Sequence, residues 1–321
     1  MSNNLKCEIV SDLLPLYVDN LTSDVTNQAV KEHIEQCEAC AKRLQDMQEP
    51  QATENINDRE IDFLKKVRVR NRRNVLIAAG VALFLAVILF VRVFIIGNNT
   101  SIAVFDYDVK FEGDKLIFGG YMYDKSLSYV RTSYSEENGV LTLNVYTAPD
   151  TFFNSQKIYD EYTCKGEINK VCVGDKVIWE NGKRIDIRTS LAYAAKNPYV
   201  GNMSANIELA NALGIHELMG SFTNKLYTSE EPYGWKLIMN NEYLSEDETI
   251  ITERMKNYSC VLIALIDNLG YVTWEYKTEN GTTEYTITQE QANELAGEDV
   301  KKCAGSAKDL QKLMDKLGFG F

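Results

Sequence analysis

The densest set of chemically capable side chains is His33, Cys37 and Cys40, an H-x3-C-x2-C pattern. One imidazole nitrogen and two thiolates are donors that a tetrahedral zinc ion takes, and a closed structural site needs a fourth. Cys7 is the remaining Cys or His ahead of residue 74, so these residues compose a Cys3His zinc site. Closed coordination leaves no position for a reactive water, and such a site folds a domain without catalysing. A plainer reading also stands: the two cysteines are small buried hydrophobes of an amphipathic helix and His33 is a surface residue. With metal absent, two of the three thiols could instead pair and the head would unfold.

Residues 26–47 lack Gly and Pro and place Val30, Ile34 and Leu44 on apolar positions, which predicts a helix capped by Thr22, Ser23 or Thr26. On a helix, positions i, i+4 and i+7 share a face, and this spacing points His33, Cys37 and Cys40 toward one place. A first helix around residues 5–18 carries Cys7. Pro15, which has no amide proton, should bend or limit it. A head this small buries little core without help, which favours the metal.

Behind the head lies a run unlike the rest of the chain. Residues 75–91 contain no polar side chain, and the apolar run resumes after Arg92 through Ile96. As a helix, residues 75–96 span roughly 33 Å, enough for a bilayer core of about 30 Å. Arg92 lies near one end, where its stem can snorkel toward the headgroups. The run starts too far into the chain for a cleavable signal peptide. Lys65, Lys66, Arg68, Arg70, Arg72 and Arg73 precede it without an acid, whereas Asp106, Asp108, Glu112 and Asp114 follow it. The positive-inside rule then predicts a single-pass protein of the cell membrane with a cytoplasmic N-terminus and residues 97–321 outside.

The 321-residue chain carries 34 Lys/Arg against 46 Asp/Glu, a net charge of −12. Of that excess, residues 97–321 hold −11, from 22 Lys/Arg and 33 Asp/Glu. An acidic chain of this kind is a poor direct nucleic-acid binder, because phosphate contacts need a basic face. Apolar residues at 45% and charged residues at 25% exclude collagen-like, coiled-coil and wholly disordered classes.

Cys7, the run Leu13, Leu14, Pro15, Leu16, Tyr17, Val18 and Asp19, then Leu21 and the His33, Cys37, Cys40 pattern together resemble the zinc-finger anti-sigma domain of bacteria over residues 5–47. The resemblance implies that Cys7, His33, Cys37 and Cys40 hold Zn(2+). It also implies that the partner is an extracytoplasmic-function sigma factor, held at the membrane away from core RNA polymerase. Release in such proteins often proceeds through site-specific and intramembrane proteases. The residues themselves say less: Leu13, Leu14, Leu16 and Tyr17 are more apolar surface than so small a domain easily buries, which would suit a partner groove. They could equally pack on Val30, Ile34 and Leu44. Residues 48–55 read as a polar linker, and Asp58 as the cap of a basic juxtamembrane helix through Ile61, Leu64 and Val67. That helix either completes the grip on the partner or stops the membrane span against anionic lipid.

The exterior is expected to be α+β, a β-rich half followed by an α+β half. Phe105, Tyr107, Val109 and Phe111 alternate with polar residues, residues 140–146 read as a strand, and Asn181 and Gly182 mark a hairpin. Helices are expected near residues 191–196, 205–213, 251–268, 289–296 and 307–317, with strands near 225–228, 235–239 and 271–276. Asn197, Pro198, Tyr199, Val200, Gly201 and Asn202, with Glu231 to Gly234 and Ala264 to Leu269, resemble an uncharacterised extracytoplasmic domain of membrane-anchored Gram-positive proteins over residues 190–280. That resemblance implies no reaction. Nor do the residues: the exterior holds one histidine, His216, read as a packed or surface group, and no G-x-S-x-G, H-E-x-x-H or P-loop pattern. The exterior tyrosines could line a ligand or peptidoglycan surface or be ordinary strand residues. Cys164 and Cys172 could close a disulfide across a hairpin, although four outer cysteines allow three connectivities.

The expected organisation is thus a small all-α zinc-binding head (1–47), a linker and basic juxtamembrane helix (48–73), one transmembrane helix (74–96), a β-rich exterior domain (97–189) and an α+β exterior domain (190–321). The expected function is sigma-factor sequestration controlled by an envelope signal, without enzymatic activity. The alternative is a zinc-finger docking module of an envelope-assembly or interaction protein that does not act on sigma factors.

Overall fold

The computed structural model describes residues 5–49 and 56–319. Residues 50–55 of the expected linker lie outside them. The chain divides into two compact units, Met1–Phe84 and Leu85–Phe321.

The head consists of three helices, α1 (Cys7–Val18), α2 (Asp24–Gln36) and α3 (Glu38–Gln48). α1 continues about one turn past Pro15 and then stops where Asn20 adopts φ +55°. The Asn20 N–H bonds to Tyr17 O and the Leu21 N–H to Leu16 O, the paired closure that satisfies the last carbonyls of a helix. Ser23 holds the N-cap position of α2. Val10, Leu14, Val30 and Cys40 are buried, with Leu5, Leu13, Tyr17, Ile34, Cys37 and Leu44 packed around them. Instead of the single helix expected over residues 26–47, α2 and α3 are separated at Cys37, whose backbone is extended at φ −123°, ψ 101°.

α4 (Ile56–Phe90) begins ahead of Asp58, which therefore lies within its first turn and does not cap it. The stretch Lys65–Ile96 is long and apolar enough to cross a membrane, and its most apolar window has no buried residue. Residues Val91–Ile96 form a wider π-helical turn that ends at Gly97, φ +74°. The wider turn leaves carbonyls looking for donors, and arginines supply them: Arg92 Nη1 donates to Gly97 O at 2.7 Å, and Arg131 Nε to Ile96 O at 3.2 Å.

The following region is β-rich, as its alternation requires. Its strands are β1 (Asn98–Asn99), β2 (Phe105–Glu112), β3 (Lys115–Met122), β4 (Leu127–Glu137), β5 (Val140–Pro149), β6 (Lys157–Thr163), β7 (Lys170–Val173), β8 (Lys176–Glu180) and β9 (Lys183–Arg184). One sheet has the order β2-β3-β6, and the other β1-β5-β7-β8-β9 with β4 also on β5. Their apolar faces share one core that includes Phe105, Tyr107, Phe118, Leu141, Val171 and Ile178. Asn181 and Gly182 both have positive φ, as do Asn138 and Gly139 between β4 and β5, the left-handed pair that closes a two-residue hairpin.

Beyond α5 (Ile187–Ala194), α6 (Met203–Ala212) and α7 (Ile215–Met219) lies a second sheet system, β10 (Phe222–Tyr227), β11 (Tyr233–Tyr243), β12 (Leu269–Thr278) and β13 (Gly281–Thr288), in that order. β11 and β12 run parallel, joined through α8 (Glu248–Leu265), since a parallel pair needs a long crossover. The helices α9 (Gln289–Ala296) and α10 (Ala307–Lys316) complete it. The expected division between residues 189 and 190 falls inside α5, and α10 returns to the first half. Gln311 Oε1 accepts from the Asp186 N–H at 2.7 Å, Glu180 Oε2 from the Lys308 N–H at 2.9 Å, and Ala307 packs on Cys172, Val177 and Ile185.

One half-buried cation secures the end of α8. The Lys301 ammonium donates to the carbonyls of Ile263, Ile266 and Leu269 at 2.6, 2.7 and 2.8 Å. Removing it takes this donor from the Ile263 and Leu269 carbonyls, while Ile266 O keeps the Leu269 N–H, and Lys301→Met should cost the full-length chain about 2 kcal/mol. Lys302→Met, at an exposed neighbour, should stay within about 0.5 kcal/mol. Urea denaturation in detergent, followed by tryptophan emission, measures both, and equal losses would refute the capping role.

Candidate metal centre

Each donor of the head comes from a helix end. Cys7 opens α1, His33 stands in the last turn of α2, Cys37 occupies the joint and Cys40 lies in the first turn of α3. A straight helix would string His33 and Cys40 along about 10 Å of axis. The extended backbone at Cys37 removes that separation, which is why convergence prevails over helix continuity here.

The four donor atoms of Cys7, His33, Cys37 and Cys40 all lie within 4.8 Å of one another. Cys7 Sγ and Cys37 Sγ are 3.7 Å apart. Two thiolates on a tetrahedral ion with metal–sulfur bonds of about 2.3 Å lie about 3.8 Å apart, so the spacing fits a metal between them. The second observation is His33: its ring is buried at 9% exposure, and Nε2 meets no hydrogen-bond partner. An orphaned buried ring nitrogen costs about 1–3 kcal/mol, a penalty that metal ligation removes.

Charge points the same way. Burial first, then the Cys37 and Cys7 sulfurs, push the Cys40 thiol up to about 11. The Cys40 backbone N–H and the Cys7 thiol hold Cys37 below its ordinary value. Three sulfurs packed this closely ionise together only beside a cation. The positive ends of α1 and α3, where Cys7 and Cys40 sit, add to that cation.

The other residues singled out from the sequence fall elsewhere. Leu14 is fully buried in the head's own core and offers no surface to a partner, whereas Leu13 and Tyr17 are half-buried and Leu16 is exposed. Cys164 and Cys172 form no disulfide, correcting the hairpin expectation. β6 pairs with β3 and β7 with β5 and β8, so the two cysteines leave one sheet for the other. Cys164 packs on the core between the sheets, while Cys172 faces Val177, Ile185 and Ala307. His216 is exposed and stacks on Phe222, ring centroids 4.3 Å apart.

Residues 7–41 match a family described as "Putative zinc-finger", a span that opens on the first donor and closes just past the last. Residues 192–288, from the end of α5 to the end of β13, match a domain of unknown function, DUF4825. No curated protein and no solved structure matches the chain.

Purified full-length chain should carry one divalent metal per molecule by elemental analysis. Both Cys40→Ser and His33→Ala should abolish that stoichiometry and loosen the head, seen as faster proteolysis within residues 5–49. Because every donor must be deprotonated, metal should leave as pH falls and not as it rises. Undiminished metal in both variants would refute the assignment of these donors.

Proposed function

We propose that this chain is a single-pass membrane regulator whose metal is zinc and whose head sequesters an extracytoplasmic-function sigma factor, while the exterior region senses or relays an envelope signal. The observation that carries the reading is the converged Cys3His set in a three-helix head ahead of one membrane-spanning helix. Three thiolates and an imidazole at tetrahedral spacing suit zinc and leave no open position for chemistry. Zinc bound there would supply folding energy, about 10–16 kcal/mol in comparable modules. The head's three fully buried apolar side chains, Val10, Leu14 and Val30, contribute roughly 1.5–3 kcal/mol each, so the metal would be the larger single term.

The head also presents a face that its own core does not use. Ile9 and Leu16, seven residues apart on α1, are exposed on a different face from Val10 and Leu14, with half-buried Leu13 at its edge. Leu21 and Val25, just beyond, are exposed as well. Such a stripe suits insertion of a helix into an apolar groove of a partner protein. By the positive-inside rule the six Lys and Arg from Lys65 to Arg73 support a cytoplasmic head, on the side where a sigma factor is available. Control of transcription would then pass through that protein partner, with proteolysis as one route to release and with no direct DNA contact.

Full-length chain captured from detergent-solubilised native membranes should retain a sigma factor identifiable by mass spectrometry. Leu16→Glu should lose it with unchanged metal content. Capture of no sigma factor by the metal-loaded wild-type chain would sink the reading.

A further inference from the structure

The turn between β5 and β6 presents two phenylalanines that the fold does not bury. Phe152 is 100% exposed and Phe153 50% exposed. The turn itself is well tied. The Asp150 N–H bonds to Ser126 O at 2.8 Å, the Asp150 carboxylate accepts from Ser128 Oγ, the Asn154 N–H bonds to Thr151 O at 3.2 Å and the Tyr129 N–H bonds to Ser155 O at 2.8 Å. A rigid tip that holds an aromatic ring fully in solvent forgoes burial that a small rearrangement would allow, so its surroundings should be apolar.

The neighbours of that tip identify the surroundings. The Phe153 ring lies 6.3 Å from Phe90 and 6.3 Å from Phe94, and Phe152 lies 5.1 Å from Phe153 in an edge-to-face contact. Phe90 and Phe94 belong to the apolar stretch that ends at Ile96. At helical rise they lie about 9 and about 3 Å short of that end. The turn therefore reaches back alongside the last turns of the membrane-spanning helix. That depth matches the roughly 5–10 Å to which interfacial apolar groups enter a bilayer.

We propose that Phe152 and Phe153 form a second membrane contact, inserting into the headgroup and acyl boundary of the leaflet that the Phe90–Phe94 end of the helix occupies. This rests on reading Lys65–Ile96 as a membrane span. The inserted turn would fix the tilt of the β-rich half against the bilayer, because the hydrogen bond from Arg131 on β4 to Ile96 O already ties the helix end to that half.

The test uses full-length chain in phosphatidylcholine nanodiscs, with Phe152→Trp read against the parent. Its added emission should be lost to a large extent when the lipids carry bromine near the headgroup and should resist aqueous iodide. Leu89→Trp, on the exposed helix face, serves as the reference. If Leu89→Trp is quenched by brominated lipid but Phe152→Trp yields to iodide instead, the turn faces water or a protein partner and the proposal is overturned while the membrane span stands. If neither is quenched by lipid, the span fails and the proposal fails with it.

Discussion

A helix whose large apolar side chains are turned outward along its whole length cannot remain in water. More than ten such side chains between Val75 and Ile96 are exposed. At roughly 1.5–3 kcal/mol each, leaving them hydrated would exceed the 5–15 kcal/mol by which a folded domain is typically stable. Every other feature of this stretch answers that constraint. The basic residues stop at Arg73, Arg92 turns toward the helix end, and the π-helical turn is closed by two guanidinium groups where a helix C-terminus favours cations. The division of the chain into Met1–Phe84 and Leu85–Phe321 falls within this segment.

The head meets the opposite difficulty, too little apolar surface to bury. Its core of Val10, Leu14, Val30 and Cys40 is a single layer of contacts among three short helices. The break at Cys37 shows how strong the compensating interaction must be. Interrupting a helix forfeits hydrogen bonds and a good helical register, yet the extended Cys37 lets four donors approach within 4.8 Å. Ile9 and Leu16 are left exposed for the same reason: a helix anchored by Cys7 and buried through Val10 and Leu14 has only one inward face.

How much of this could be read in advance depended on whether a signal was local. The donor set was legible because spacing and residue type alone define it, and the membrane span because it needs only length and composition. The α+β order of residues 97–321 followed from alternation at Phe105 to Phe111 and from helical runs such as residues 251–268. What escaped depended on partners distant in sequence. β13 is exposed along most of its length, so no apolar period marks it. The parallel pairing of β5 with β7 and the return of α10 to β8 are tertiary choices. The helix break at Cys37 was hidden because nothing there resembles a breaker, and no local pattern singles out Phe152 and Phe153, which the turn brings beside Phe90 and Phe94.

The seven cysteines show why residue type alone does not assign a role. Cys172, Cys260 and Cys303 are buried, and burial pushes Cys260 up to about 12 and Cys172 up to about 11. Cys260 donates weakly to Ala292 O inside the α8 and α9 packing, where it behaves as a small apolar side chain. Burial also raises Cys164 and Cys303. Thiols held protonated in this way are poor nucleophiles. In the head, burial and then the neighbouring sulfurs raise Cys40, whereas the Cys40 N–H and then the Cys7 thiol lower Cys37, and the three sulfurs share a space with a single buried imidazole. Convergence, more than burial, separates a metal ligand from a core residue here, and only the three cysteines of the head converge with a histidine.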